Sequence, residues 1–203
     1  MEHYYTKNQS SELKLRLIKE HIRAVELKLY LCSGVFSAKK IDTGSRLLAN
    51  RAIVKAAWHV LDLGCGIGVV GIAVAKAHSN TKVLLTDVNE RAVYVAKINS
   101  KLNNCSNVEI RQSNGFESID KKFDTILLNP PQTAGKKLCF KLIEQSKQHL
   151  KTNGLFQLVA RHNKGGKSLN KFMQEVFGNS EVLAKQSGYR IYVSKLIGDS
   201  KNE

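Results

Sequence analysis

The chain has 203 residues, 42% of them apolar, which suits one domain with a sizeable core and a modest appendage and excludes a membrane-spanning helix, since no apolar run is long enough. Lysine and arginine number 32 against 17 acidic residues, a net charge of +15 that favours a polyanionic partner. Cys32, Cys65, Cys105 and Cys139 are far apart, with no Cys-x-x-Cys pair and no paired histidines. No metal site and no disulfide framework are therefore expected, in a reducing setting.

The first 31 residues alternate. Leu13, Leu15 and Leu17 are separated by Lys14 and Arg16, and Val25, Leu27, Leu29 and Leu31 by Glu26, Lys28 and Tyr30. A period of two predicts a two-stranded ribbon whose leucines share one apolar face, packed on the rest of the chain because an isolated hairpin is marginal in water. The segment Met1-Glu2-His3-Tyr4-Tyr5-Thr6-Lys7 has no apolar signal-peptide core, so a cytoplasmic protein with no membrane association is expected. Residues 1–48 are assigned to this N-terminal part and 49–203 to the main domain.

From Val60 to Ala160 strand-like and helix-like segments take turns. Strands are predicted at Val60–Leu63, Lys82–Thr86, Val108–Arg111, Phe123–Leu128 and Leu155–Ala160, and helices at Val69–Ala77, Glu90–Leu102 and Lys136–Leu150, the last with an apolar stripe through Leu138, Leu142, Ile143 and Leu150. Such alternation implies an α/β fold with a parallel sheet between helices, its ligand outside the carboxyl ends of the strands. A helix near Ser168–Phe177 precedes two further strands, Glu181–Gln186 and Tyr189–Leu196. The Ser187-Gly188 turn between them makes an antiparallel hairpin.

Three turns at strand ends carry chemistry. Leu61-Asp62-Leu63-Gly64-Cys65-Gly66-Ile67-Gly68 lets the backbone turn tightly and lie flat against a ligand. Its phase Gly66-x-Gly68-x-x-Gly71 fits a dinucleotide pattern only weakly, and Asp62 would repel a pyrophosphate while attracting a cation. Asp87 ends the second strand, where a carboxylate accepts the two hydroxyls of a ribose or caps the following helix. Asn114-Gly115 is either a plain turn or a contact for an adenine amino group. The third turn, Asn129-Pro130-Pro131-Gln132, directs an amide carbonyl and a proline-capped backbone carbonyl to one place. It makes a rigid acceptor site for a neutral amino group.

Lys164-Gly165-Gly166-Lys167-Ser168 superficially suggests a triphosphate loop, but that motif needs glycine at the position of Arg161. This basic, glycine-rich stretch is either a phosphate clamp or an ordinary surface loop. Residues 130–195 carry twelve Lys/Arg against three Asp/Glu, so the charge excess gathers after the Asn-Pro-Pro turn, where a bound substrate would face it.

Taken together, these residues resemble the class I S-adenosylmethionine-dependent methyltransferases over residues 50–196: Asp62-Leu-Gly-Cys-Gly-x-Gly matches the first motif, Asp87 the second and Asn129-Pro-Pro the fourth. Gly34-Val35-Phe36-Ser37 and Ile41-Asp42-x-Gly44-Ser45-x-Leu47-Leu48 resemble the segment before the first motif in the methyltransferase small-domain family, which includes ribosomal RNA guanine-N2 methyltransferases. The chain is similar to the single-domain archaeal members as well. That resemblance implies a Rossmann-like, seven-stranded, mostly parallel sheet and S-adenosylmethionine as cofactor. It places Gly64, Gly66 and Gly68 against the methionine part, Asp62 at its amino end, Asp87 with Val88 at the ribose and Asn114 with Gly115 at the adenine, closed by Phe36 and Asp42. It implies Asn129, Pro130 and Pro131 as catalytic and Gln132, Lys136, Arg161 and Lys164 toward a substrate, taken to be RNA, ribosomal above all, with a monomer favoured.

One departure is visible. Gln132 stands where many members set an aromatic ring that stacks on the target base, and Phe36 and Tyr189 are the aromatics that could supply that face instead. The same chemistry also suits a protein glutamine amide or a DNA adenine, and an RNA-binding protein with a vestigial pocket is the non-catalytic alternative.

Overall fold

The computed structural model describes residues 12–35, 40–131 and 134–198; Phe36 and Gln132 lie outside them. Nine strands and five α-helices are found among these residues, in the order β1 (Leu15–Ile22), β2 (Val25–Cys32), α1 (Thr43–Arg51), β3 (His59–Leu63), α2 (Val69–Ala77), β4 (Lys82–Asp87), α3 (Glu90–Leu102), β5 (Val108–Gln112), β6 (Phe123–Leu128), α4 (Lys136–Gln148), β7 (Leu150–Arg161), α5 (Lys167–Phe177), β8 (Glu181–Gln186) and β9 (Tyr189–Lys195). A kinked turn at His162–Gly166, in which Lys164 and Gly165 leave helical backbone angles, joins β7 to α5.

Strands β3 to β9 form one seven-stranded sheet in the order β5-β4-β3-β6-β7-β9-β8. β3 to β7 run parallel, and β9 pairs antiparallel with both β7 and β8. The α/β class, the seven strands and the closing hairpin are those predicted. Ser187 and Gly188 both have positive φ, 48° and 79°, the backbone hand that suits a two-residue hairpin turn.

The central strands are continuous apolar runs because both sheet faces are covered. One face packs under α1, α2, α3 and the N-terminal ribbon through Leu48, Ile72, Val95 and Leu29. The other packs under α4 and α5 through Ile143, Phe156 and Met173. Residue 48 lies within α1, whose Leu47 and Leu48 join the first of these cores.

Two expectations are corrected. β7 begins at Leu150, which pairs with Phe123 instead of ending α4. The early start comes from an irregularity: the pairing slips between Phe123 and Thr125, Asn153 takes a φ of 65°, and a Cβ on Gly154 would come within 2.8 Å of the Lys151 carbonyl.

The second correction concerns the ribbon. Its turn is the two residues Arg23-Ala24, and this register pairs Ile18 with Leu29 and Glu20 with Leu27. Leu27, Leu29 and Leu31 are buried, but Leu13, Leu15 and Leu17 are 39–48% exposed. A turn of that length sets β1 one residue out of phase with the leucines of β2, which sends the leucines of β1 to the opposite face.

The ribbon is held by side chains of the main domain. Asn99 accepts from Tyr30 N at 2.7 Å and donates to Tyr30 O, and Asn103 treats Lys28 the same way. Two amides of α3 thus satisfy the free edge of β2 as a neighbouring strand would.

Candidate active site

The carboxyl ends of β3, β4 and β6 open into one pocket, as expected for a parallel sheet. The predicted residues Asp42, Asp62, Gly64, Gly66, Asp87, Val88, Asn114, Gly115, Asn129, Pro130 and Pro131 all line it. Gly68 does not; it caps the start of α2 with a φ of 90°. Lys136 at the start of α4, Arg161 at the end of β7 and Lys164 in the turn after it also lie outside the lining.

The glycine loop is shaped from both sides. A Cβ on Gly68 would meet Ile72 Cδ1 at 2.7 Å, and one on Gly71 would meet Leu85 Cδ1 at 2.6 Å, so these two let α2 pack closely on the sheet. A Cβ on Gly64, where φ is 69°, would meet nothing within 4 Å. Gly64 therefore keeps the pocket open, while Gly68 and Gly71 keep the loop against the core.

Two carboxylates sit at the floor. Asp62 is 3% exposed and accepts from Gly71 N at 2.8 Å. Burial pushes its pKa up to about 7, the Gly71 bond opposes the rise and the nearby Asp87 adds to it. Asp87 accepts from Gly66 N at 2.8 Å and Asn89 N at 2.9 Å, and burial raises its pKa against these bonds. Asp87 thus braces the loop, while the helix cap is supplied by Asn89, whose side chain accepts from Arg91 N and Ala92 N. A buried and a half-buried carboxylate beside an open glycine loop suit a ligand that brings a cationic group and hydroxyl donors. This acceptor set fits the charge and hydroxyl groups of S-adenosylmethionine. Asn114 reaches the rim, where its amide nitrogen donates to Glu117 at 2.8 Å.

At the opposite wall, Asn129 follows β6. Its amide nitrogen donates to Asp42 Oδ1 at 3.2 Å and to Ser45 Oγ at 3.0 Å. A carboxylate only accepts, so the nitrogen of Asn129 must face Asp42 and the carbonyl oxygen must point away from it. Asp42 is fixed in turn as the N-cap of α1, accepting from Ser45 N at 3.0 Å.

Sequence reasoning missed Ser45, although its place three residues after a capping Asp was a signal for a helix start. It also missed Leu138 and Leu142, which form an apolar side of the pocket; both belong to the stripe recognised on α4 and were read only as core. Among the described residues no cluster of metal-ligating side chains occurs, and no helix is long and apolar enough to cross a membrane.

Comparisons with known proteins agree on one family. Residues 26–193 match the family model described as methyltransferase small domain. The "Uncharacterized protein YbxB" of Bacillus subtilis (strain 168) is 35% identical over 199 residues, covering 97% of this chain and 99% of that protein. The Ribosomal RNA small subunit methyltransferase C of Haemophilus influenzae (strain 86-028NP) is 33% identical over 180 residues, covering 87% of this chain and 53% of the relative. The chain therefore spans about half the length of that methyltransferase. Among solved structures, the T. thermophilus 16S rRNA N2 G1207 methyltransferase (RsmC), in complex with AdoMet and guanosine, superposes with a TM-score of 0.77 at 22% identity, over 91% of this chain and 51% of that one. With the family matched over most of its length, the chain belongs to the methyltransferase small domain family and is an S-adenosylmethionine-dependent methyltransferase.

Proposed function

We propose that the chain methylates an exocyclic amino group of a base in ribosomal RNA, with small-subunit RNA as the first substrate to test. The observation that carries this reading is the orientation of Asn129. With its nitrogen committed to Asp42 and Ser45, its carbonyl oxygen and the Pro130 backbone carbonyl are left as paired acceptors for an –NH2 group. The basic excess beyond that turn and the relatives named for ribosomal RNA methylation support RNA as the carrier of that group.

S-adenosylmethionine supplies a methyl group activated on a sulfonium. In this reading Asp62, Asp87 and the open backbone at Gly64 and Gly66 hold the donor at the ends of β3 and β4, and Asn114 with Gly115 borders its adenine. Asn129 and Pro130 take the two N–H bonds of the base amine. This draws its lone pair out of conjugation and aims it at the methyl carbon. No strong general base is needed, because the nitrogen sheds its proton only after it has gained the methyl group. Lys136, Arg161 and Lys164 lie beyond the pocket on the substrate side.

The test is methyl transfer from labelled S-adenosylmethionine to small ribosomal subunits, naked RNA, DNA and protein extract, followed by digestion and identification of the product. An N-methylated nucleoside from RNA is the expected outcome. Label confined to protein would replace the RNA reading with methylation of a side-chain amide, and label in DNA adenine would replace it likewise.

A further inference from the structure

Phe36 and Gln132 lie outside the described residues, and among the described residues Tyr189 is an aromatic ring set beside Asp42. The strands next to β6 along the same sheet edge are β7 and β9. Arg161 ends β7 directly opposite Tyr189, which begins β9. The guanidinium carbon of Arg161 lies over the Tyr189 ring, 5.4 Å from its centroid. Arg161 is exposed on the outer side, whereas Tyr189 is half-buried beneath it.

Tyr189 is tied to the catalytic wall. A methyl group placed on Gly44 would come within 3.0 Å of Asp42 Oδ1 and 3.1 Å of Tyr189 Cε1. The ring edge and the carboxylate that orients Asn129 therefore flank one spot at the start of α1. The hairpin that carries Tyr189 is tied to the end of β7. His162 N donates to the Gly188 carbonyl at 2.9 Å, and the His162 ring pairs with the Tyr192 hydroxyl at 2.7 Å. Burial holds the His162 pKa below its usual range, as do Arg190, Lys167 and Lys185 around it, so the surroundings of this edge are strongly cationic.

We propose that the Arg161 guanidinium, backed by Tyr189, is the plane on which the target base stacks. Bases stack on guanidinium planes as they do on aromatic rings, and an arginine laid over a ring is already flat and pre-ordered. The neighbouring cations Lys167, Lys185 and Arg190 then meet the flanking phosphates. Tyr189 acts here as a positioning residue that holds the guanidinium. This assignment rests on the RNA reading above and adds the surface that reading lacks.

The experiment measures initial rates with labelled S-adenosylmethionine and small ribosomal subunits for wild type, Arg161→Lys, Tyr189→Leu and Tyr189→Phe. Arg161→Lys keeps the charge and loses the plane, on an exposed side chain that does not threaten folding. Tyr189→Leu keeps apolar packing and loses the ring. Both should raise KM for the subunit about 5- to 100-fold, the range of one lost base stack, while affinity for S-adenosylhomocysteine, thermal midpoint and the salt dependence of KM stay near wild type. Tyr189→Phe should restore KM to within about threefold. A wild-type KM in Arg161→Lys would overturn the proposal by reducing Arg161 to a phosphate contact, and an equal loss of S-adenosylhomocysteine affinity in Tyr189→Leu would make Tyr189 merely structural. If wild type methylates no RNA, the RNA reading fails and takes the platform with it. If wild type methylates RNA and both variants match it, the platform alone fails.

Discussion

Asn129 Nδ2 and Asp42 Oδ1 are 3.2 Å apart although 87 residues separate them in the chain. This contact sets which end of the Asn129 amide meets a substrate. Replacing Asn129 with Ala should lower kcat by about 100- to 1000-fold, the cost of losing one well-aimed polar group at a reacting centre. Asp42→Asn offers the amide a partner that can donate as well as accept, so Asn129 can turn over. It should lower kcat about 10- to 100-fold with little change in stability, because Asn caps a helix about as well as Asp. Calorimetric titration with S-adenosylhomocysteine separates the cases: Asn129→Ala should bind it nearly as wild type does, and a collapse of binding would make Asn129 structural instead.

The buried Asp62 should make donor binding depend on pH. Its folded pKa, raised to about 7, lies above the ordinary carboxylate value, so the folded chain holds a proton that the unfolded chain has released. The sign follows from linkage: this group's contribution to stability is greatest below the ordinary value and is lost as pH rises through about 7. If the amino group of the donor pairs with ionised Asp62, binding expels that proton near neutrality. Affinity should therefore rise from about pH 5 to about pH 8, and titrations in buffers of different ionisation enthalpy should count a released proton. Asp62→Asn should weaken binding and flatten the profile. An unchanged profile would remove Asp62 from the amino-group role.

Most of the sheet was legible because its signals are local: Phe123–Leu128, Val69–Ala77 and Glu90–Leu102 stand where their periodicity put them. The glycine loop, Asp62, Asp87 and Asn129 were legible because each sits at the carboxyl end of a strand. What stayed hidden depends on register or on distant contacts. The exposure of Leu15 and Leu17 follows from the phase set by a two-residue turn, which alternation alone does not fix. Ser45 was readable as a residue of a helix start, but not as the second partner of Asn129 across 84 residues. The Arg161–Tyr189 stack likewise exists only because β7 and β9 pair in one particular register.

Gly71→Ala should damage the donor site through packing. The new methyl would lie 2.6 Å from Leu85 Cδ1 and 3.0 Å from Asp62 Oδ2, so either α2 lifts from the sheet or the carboxylate is pushed out of place. Overpacking of this kind costs about 1–3 kcal/mol, seen as a lower midpoint in urea. Affinity for S-adenosylhomocysteine should fall by about tenfold or more. Gly64→Ala is the contrast, because its methyl enters open space. Folding should lose only the roughly 1 kcal/mol of a strained left-handed residue, while donor binding falls through blockage of the pocket.

Arg23 should prove the main anchor of the N-terminal ribbon. Its guanidinium donates to the Ala49 and Ala52 carbonyls at 3.0 Å and reaches His78 Nε2, satisfying acceptors at the end of α1 that the helix itself leaves open. Its own φ of 55° is unfavourable for a side-chain-bearing residue. Arg23→Gly therefore separates two effects: the turn is relieved while the cap is lost. If the cap dominates, Arg23→Gly and Arg23→Ala should both lose about 1.5–3 kcal/mol in denaturant titration, the worth of charge-assisted hydrogen bonds. Amide exchange should then accelerate first in Lys28 and Tyr30, whose strand is stitched to α3 by Asn103 and Asn99. If Arg23→Ala is instead as stable as wild type, the ribbon is held by Leu27, Leu29 and Leu31 and by the Asn99 and Asn103 amides, and the guanidinium adds nothing to them.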